Sequence, residues 1–260
     1  MIKSSEPANQ DRSRVAALVL CGGEGRRMGG GEKGLRLLGG KPLLDHVVRR
    51  LAPQVAVLSL CCNRAIDQYR GVFDGAIIGD TPALEGTGPL AGMIAGLAFY
   101  QEVNQVKFGT GARTLDTDTL HSAFRVHYLP SVLLKPHNEK ASACSLPFEW
   151  LMVVPCDAPL IPHNLVDRLL QAATPKNDIM VAADAEHVHY THVLLRMHVL
   201  PRFLEYRQQH QRLKHLYEMF NVGTVRFEHS MEFANINTHD ALNELEAYYS
   251  RTQNDVESNA

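Results

Sequence analysis

Apolar residues in this chain gather into short continuous runs that break off at glycine, asparagine or aspartate, with stretches of helical spacing between them. The run VAALVL from Val15 to Leu20 stops at Cys21 and two glycines, the pattern of a parallel strand buried on both faces. Val55 to Leu60 ends in CCNR, Ala76 to Ile78 ends in Gly79 and Asp80, and Leu151 to Val154 ends in PCD. Between them, Leu43, Leu44, Val47, Val48 and Leu51 recur at helical spacing behind Pro42, which suits a first helical turn. After Gly88 and Pro89, LAGMIAGLAFY predicts a helix of small residues able to pack close to a sheet. Further on, the pattern predicts a helix over Asn164 to Ala173, strands over Ile179 to Ala183 and Thr191 to Leu195, and a mostly polar helical region over Leu200 to Tyr217. A strand near Thr224 to Phe227 and a helix from Asp240 to Tyr249 complete it. Strand and helix alternate, so the expected fold is α/β, doubly wound, with a mostly parallel sheet.

One segment breaks this rhythm. From about Gln101 to Glu149 the chain is polar and is interrupted by Gly109, Gly111, Pro130, Pro136 and Pro147. A loop so long is uncommon in a compact domain unless it is functional or disordered. It reads as an insertion that forms no core element, a mobile surface lobe dispensable for nucleotide binding. Residues 15–250 are expected to form a single domain around it, with disordered tails at 1–14 and 251–260.

Composition narrows the class. At 260 residues and 45% hydrophobic side chains, one domain can bury a full core without staples. A formal net charge of -2 leaves no global positive field of the kind a non-specific nucleic-acid binder needs. The odd set of Cys21, Cys61, Cys62, Cys144 and Cys156 contains no CxxC pair, which excludes a disulfide framework and a zinc ribbon by spacing. The polar start lacks the apolar core of a signal peptide, and no run approaches a membrane span. A cytoplasmic protein is expected.

In an open α/β sheet, ligands bind beyond the carboxyl ends of the strands, so the residues after each run belong together. The first run is followed by CGGEGRRMGGGEKG, which interleaves Gly22, Gly23, Gly25 and Gly29 to Gly31 with Arg26, Arg27 and Lys33. Such a loop brings backbone N–H groups to phosphate oxygens while the cations neutralise them. Met28 stands where a GxGxxG fingerprint needs glycine, and no GK precedes Ser or Thr as in a P-loop. Asp157, at the end of a buried strand, reads either as a magnesium carboxylate opposite the phosphate loop or as a helix N-cap before Pro159. Asp80 and Asn63 read as ligand contacts or as turn residues. In HVHYTH, strand alternation puts only His187 and His189 on one face, and no carboxylate or cysteine completes a metal set. Vicinal Cys61 and Cys62 read as small buried residues.

The stretch LCGGEGRRMGGGEKG resembles the LxGGxxxRMGxxKG signature of the molybdenum cofactor guanylyltransferases. The likeness continues through GKPLLDHVVRRLAPQV, Asn63 and Arg64, Asp80, GPLAG at Gly88 to Gly92, PCDAPLIP at Pro155 to Pro162, and FANINT at Phe233 to Thr238. It implies a Rossmann-like nucleotidyltransferase fold and transfer of GMP from GTP to molybdenum-loaded molybdopterin with Mg²⁺. It implies that Leu20, Cys21, Gly22 and Gly23 lie against the guanine nucleotide, that Lys33 contacts its phosphates, and that Asn63 and Asp80 help hold it. Asp157 would bind Mg²⁺, Arg27 would share in charge neutralisation, and Asn235 and Asn237 would border the acceptor. Contacts with a molybdoenzyme or a cofactor chaperone are implied as well. The chain departs from the family at Cys21, usually alanine, at Glu32, usually aspartate, and near Tyr190 and Thr191, where a His-Pro pair is usual. The segment from 101 to 149 has no counterpart in the pattern.

Rival readings are a cytidylyltransferase for the same cofactor, a sugar-phosphate nucleotidyltransferase, and a non-catalytic carrier of GTP and cofactor. The start LCGG favours guanine by resemblance, and the presence of both Lys33 and Asp157 argues against a carrier.

Overall fold

The run VAALVL forms strand β1, Val15–Leu20, with five of its six residues buried. Parallel neighbours cover both its edges: β4, Val57–Cys61, sets Cys61 opposite Leu20, and β7, Trp150–Pro155, sets Pro155 opposite the same residue. Alternation then sorts its side chains, since successive residues of a strand point to opposite faces. Ala16 and Leu18 join a cluster with Leu90, Ile94 and Val153, whereas Ala17, Val19 and Cys21 join Leu44, Val47, Leu51 and Leu165 on the other face. Each fully buried aliphatic side chain contributes roughly 2 kcal/mol, so a strand covered on both faces anchors whatever follows it.

The computed structural model describes residues 12–22, 30–80, 84, 88–108, 125–129, 147–206, 212–238 and 240–248. The remaining strands are β2 (Leu37–Leu38), β3 (Lys41–Pro42), β5 (Ala76–Gly79), β6 (Arg125–Tyr128), β8 (Ile179–Ala183), β9 (Val188–Arg196) and β10 (Val222–Arg226). One sheet of eight strands runs in the order β10-β8-β9-β7-β1-β4-β5-β6, and β2 and β3 make a small antiparallel pair. Only β6 and β9 oppose the common direction, so the expected doubly wound, mostly parallel sheet is the observed one.

Helices cover both faces. On one lie α1 (Leu43–Leu51) and α4 (Leu165–Ala172); on the other lie α3 (Pro89–Phe108), α5 (Leu200–Tyr206) and α6 (Leu213–Tyr217). The short α2 (Ile66–Arg70) follows β4, and residues 240–248 are also helical. α3 reaches the sheet through glycine: a β-carbon at Gly92 would lie 2.6 Å from Leu20 Cδ2, and one at Gly96 would lie 2.6 Å from Leu18 Cδ2. A side chain at either position would have to displace a leucine of β1, which gives Gly92 of the GPLAG motif a packing reason.

The segment from 101 to 149 departs from expectation. α3 continues through its first residues to Phe108, with Val103 buried. Asn104 exchanges two hydrogen bonds with the backbone of Phe148, at 2.8 and 2.9 Å, and Gln101 Nε2 donates to the Met197 carbonyl at 2.6 Å. Residues Arg125–Tyr128 then form β6 on the edge of the sheet. The segment therefore does supply core-fold elements. Its polarity concealed them because amides here satisfy backbone groups instead of facing water, and a four-residue half-buried edge strand carries no apolar run.

Other boundaries differ less. β9 is longer than expected, and Leu200 to Tyr217 holds two helices, with 207–211 outside the described residues. Of the supposed N-terminal tail, Arg12 is paired with Asp167 and Arg14 with Glu149. Residues 1–11 and 249–260 lie outside the described residues. No helix among the described residues is long and apolar enough to cross a membrane.

Candidate active site

The carboxyl ends of β1, β4, β5 and β7 lie side by side, and the residues just beyond them make a rim in two parts. After β1, Cys21 is buried and its N–H donates to the Cys61 carbonyl at 2.8 Å, while Gly22 is exposed with open space around its α-carbon. Gly23 and Arg27 lie outside the described residues. The chain is described again at Gly30 and Gly31, whose φ values of +84° and +87° fall in the left-handed region that glycine adopts without strain. Arg36 Nη2 fixes this turn through the Gly30 carbonyl at 2.8 Å. Lys33 then opens a short 3-10 turn, Lys33–Leu35.

The first part of the rim is charged. Lys33 Nζ lies 3.1 Å from Asp157 Oδ2 and also donates to Asn237 Oδ1. The Asp157 carbonyl accepts the Ile236 N–H at 2.9 Å, so the buried Ile236 clamps the FANINT segment onto the loop after β7. Asn235, on the other side of Ile236, is exposed. The Lys33 and Asp157 side chains are only 19% and 12% exposed. A carboxylate at that depth is costly without a partner, and the ammonium supplies one.

The second part is an amide and a carboxylate held reciprocally. Asn63 Nδ2 donates to Asp80 Oδ2 at 2.9 Å, and the Asp80 N–H donates to Asn63 Oδ1 at 2.8 Å. Cys61 Sγ lies 3.4 Å from Asp80 Oδ1. Burial, and then the charge of Asp80, push the Cys61 thiol well up, so it remains a donor to that carboxylate. Just past Asn63, Ala65 has a left-handed backbone, φ 52°, which turns the chain sharply into α2.

Sequence reasoning missed the link between the two parts. Arg64 Nε lies 3.5 Å from Glu32 Oε1, and the Tyr69 hydroxyl lies 3.5 Å from Glu32 Oε2. Glu32 precedes Lys33 and Arg64 follows Asn63, and that adjacency was the one available signal. Cys21, Cys62 and Cys156 share one face of the sheet and Cys61 lies on the other, all four free and buried. Burial, followed by Glu32, pushes the Cys62 thiol up to about 12. These are packing residues rather than reactive thiolates.

The histidines require a correction. β8 and β9 pair Val181 with Val193 but Ala182 with His189, so residues 190–192 are extra on β9. The bulge brings His189 and His192 together, ring centroids 5.7 Å apart, in place of the expected His187 and His189. A carboxylate does join them: His189 Nε2 lies 3.0 Å from Asp184 Oδ2, and the His189 ring stacks on Phe233 at 4.5 Å. His192 is fully buried with no hydrogen-bond partner at either ring nitrogen. Burial and then His189 push its pKa down to about 3. Among the described residues, no group of three or more His, Cys, Asp or Glu is placed to hold a metal.

A doubly wound sheet that brings Lys33 and Asp157 together at its carboxyl edge suits a nucleotidyltransferase, and comparison with known proteins shows that class. Residues 17–225 match the MobA-like NTP transferase domain, and the chain belongs to that family. It is 30% identical over 230 residues to a molybdenum cofactor guanylyltransferase of Photobacterium profundum, covering 88% of this chain and 93% of that one. It is 31% identical over 239 residues to the Vibrio cholerae protein of the same name, covering 91% and 94%. Among solved structures it resembles molybdopterin-guanine dinucleotide biosynthesis protein A from Archaeoglobus fulgidus, with a TM-score of 0.63 at 18% identity over 91% of this chain and 99% of that one. It also resembles 4-diphosphocytidyl-2C-methyl-D-erythritol synthase from Anaerococcus prevotii, TM-score 0.55 at 13% identity over 91% and 98%. At these identities the solved structures speak for the fold alone.

Proposed function

We propose that this enzyme transfers GMP from GTP to the terminal phosphate of molybdenum-loaded molybdopterin, releasing pyrophosphate and forming the guanine dinucleotide cofactor. The observation that carries the reading is the convergence of Lys33, Asp157 and Asn237 just after the turn at Gly30 and Gly31, in a chain whose relatives are named molybdenum cofactor guanylyltransferase. In the reaction, an acceptor phosphate oxygen bonds to the α-phosphorus of GTP while the bond to the bridging oxygen of the pyrophosphate breaks. The nucleophile is already ionised, so the site needs no general base. Catalysis then rests on positioning and on neutralising charge.

Each group has a part in that task. Leu20, Cys21, Gly22 and Gly23 line the guanine nucleotide, with the open α-carbon of Gly22 letting backbone approach it closely. Lys33 binds phosphate oxygens, and Arg27 adds a second cation. Asn63 and Asp80 hold the nucleoside; Asn235 and Asn237 border the acceptor. Asp157 fits Mg²⁺ by its chemistry: this ion is held by one or two carboxylates together with phosphate oxygens and water, and Asp157 is a single carboxylate beside the Lys33 ammonium. When bound, Mg²⁺ would neutralise charge on the phosphate oxygens. The Lys33 contact fixes the Asp157 carboxylate in place. The cytoplasm is the proposed setting, and a molybdoenzyme or cofactor chaperone the proposed recipient of the product.

Calorimetric titration with GTP, CTP and ATP in the presence of Mg²⁺ tests the donor assignment. GTP is expected to bind at least tenfold more tightly, a difference of about 1.4 kcal/mol that a few hydrogen bonds to the guanine edge supply. Equal or tighter binding of CTP would contradict it.

A further inference from the structure

The segment from 101 to 149 plays no part in the family motifs, yet it brings a side chain to the nucleoside end of the rim. β6 pairs antiparallel with β5, matching Gly79 with Arg125, Ile78 with Val126 and Ile77 with Tyr128. His127 is therefore the extra residue of a bulge, a device that re-aims a side chain. Here the imidazole turns over Gly79. A β-carbon at Gly79 would lie 2.5 Å from His127 Nε2 and 2.7 Å from Asn63 Oδ1. Glycine leaves that space open, and the imidazole nitrogen and the amide oxygen both approach it.

The hydrogen-bond inventory is incomplete at this point. His127 Nε2 is buried without a partner, an omission that usually costs about 1–3 kcal/mol. Asn63 Oδ1 accepts the Asp80 N–H, and a carbonyl oxygen has a second lone pair to offer. Burial and the neighbouring Arg125 push the His127 pKa below its ordinary value, so the ring is neutral at pH 7 and carries one N–H. Its strand is fastened at the far end, where the Arg70 guanidinium lies 4.7 Å over the Tyr128 ring and Val126 packs on the core.

We infer that His127 is a positioning residue of the nucleotide site: with nucleotide bound, its Nε2–H donates to Asn63 Oδ1 and locks the amide with Nδ2 toward Asp80. Rotation about the two side chains brings the atoms together, as hydrogen bonds in empty sites commonly tighten around their ligand. The ring then acts through Asn63 and touches no phosphate. This rests on the reading of Asn63 and Asp80 as the nucleoside-holding pair. It also reverses the expectation that the whole segment is dispensable for GTP binding.

The experiment is a double-mutant cycle read by calorimetry at pH 7.5 with Mg²⁺, using GTP and inorganic tripolyphosphate as titrants. His127→Phe keeps the ring and removes its nitrogens; His127→Gln restores a donor. The expected result is a loss of about tenfold in GTP affinity for His127→Phe, recovery for His127→Gln, and unchanged tripolyphosphate binding. In an Asn63→Ala background, His127→Phe should cost nothing more. An unchanged GTP affinity in His127→Phe would overturn the proposal, as would equal losses for both titrants or a full additional loss in the Asn63→Ala background. If Asn63→Ala alone binds GTP as tightly as the wild type, the underlying assignment of the nucleoside pair fails instead. Turnover at saturating GTP separates positioning from chemistry, since His127→Phe should raise KM for GTP and leave kcat within twofold.

Discussion

The two parts of the rim sit on one sheet edge yet are built on opposite plans. Lys33, Asp157 and Asn237 come from stretches 124 and 204 positions apart and meet through a lysine held between a carboxylate and an amide. Asn63 and Asp80 are 17 positions apart, follow two adjacent strands and close a reciprocal pair of hydrogen bonds. The first arrangement concentrates charge that can be redistributed onto a triphosphate. The second keeps directional donors and acceptors, which suits recognition of a nucleoside. The difference implies a division of labour: changes at the charged part should appear in turnover, and changes at the paired part in affinity.

The largest effect is expected at Asp157. Asp157→Asn should retain the fold, bind GTP nearly as well and lose at least about 100-fold in kcat, because an amide of the same shape is a poor Mg²⁺ ligand. Lys33→Ala should lower kcat and raise KM together, as expected if the proposed phosphate contact serves both bound nucleotide and transition state. Steady-state kinetics across a Mg²⁺ series checks both; unchanged turnover of Asp157→Asn at limiting Mg²⁺ would remove the division of labour. Smaller, and confined to affinity, is the effect of Asn63→Ala. It should weaken GTP binding about tenfold with kcat within twofold, as expected for loss of a hydrogen-bonding group; a matching fall in kcat would merge the two parts.

What could be read from the sequence follows the same division. β1, α1, β7 and the glycine loop announce themselves through continuous apolar runs that end in small or charged residues, so the positions of Lys33 and Asp157 beyond strand ends are legible in the sequence. Asn63 and Asp80 were legible as residues past strand ends, though their mutual bonds were not, because sequence does not show which strands are neighbours. The bulges were invisible: both His127 on β6 and the His189 and His192 pair on β9 depend on extra residues that shift register, and alternation applied to an unbroken strand puts side chains on the wrong face. The polar helix end at Gln101 and Asn104 was read as solvent-facing for want of a sign that amides there cap buried backbone.

A separate effect, on stability and not on turnover or affinity, is expected where His192 touches His189 and Phe233. Its ring stays neutral in the fold down to about pH 3, against an ordinary value of 6.5. Below 6.5 the unfolded chain takes up a proton that the native state refuses, so the stability associated with His192 is complete above that pH and is lost toward acid. The loss should run at about 1.4 kcal/mol per pH unit, or about 2 kcal/mol between pH 6.5 and 5. His192→Leu should flatten that part of the profile in denaturant titrations, and parallel profiles for the two proteins would show that the ring is not the source.

The central claim is that the charged part of the rim joins GMP to the pterin phosphate. The most direct measurement supplies purified enzyme with GTP, Mg²⁺ and molybdenum-loaded molybdopterin, and follows pyrophosphate release while identifying the pterin product by mass. The account predicts one pyrophosphate for each guanine dinucleotide formed, little product with CTP, and almost none with Asp157→Asn. Dinucleotide formation from CTP at an equal rate, or pyrophosphate release from GTP without the pterin product, would contradict it.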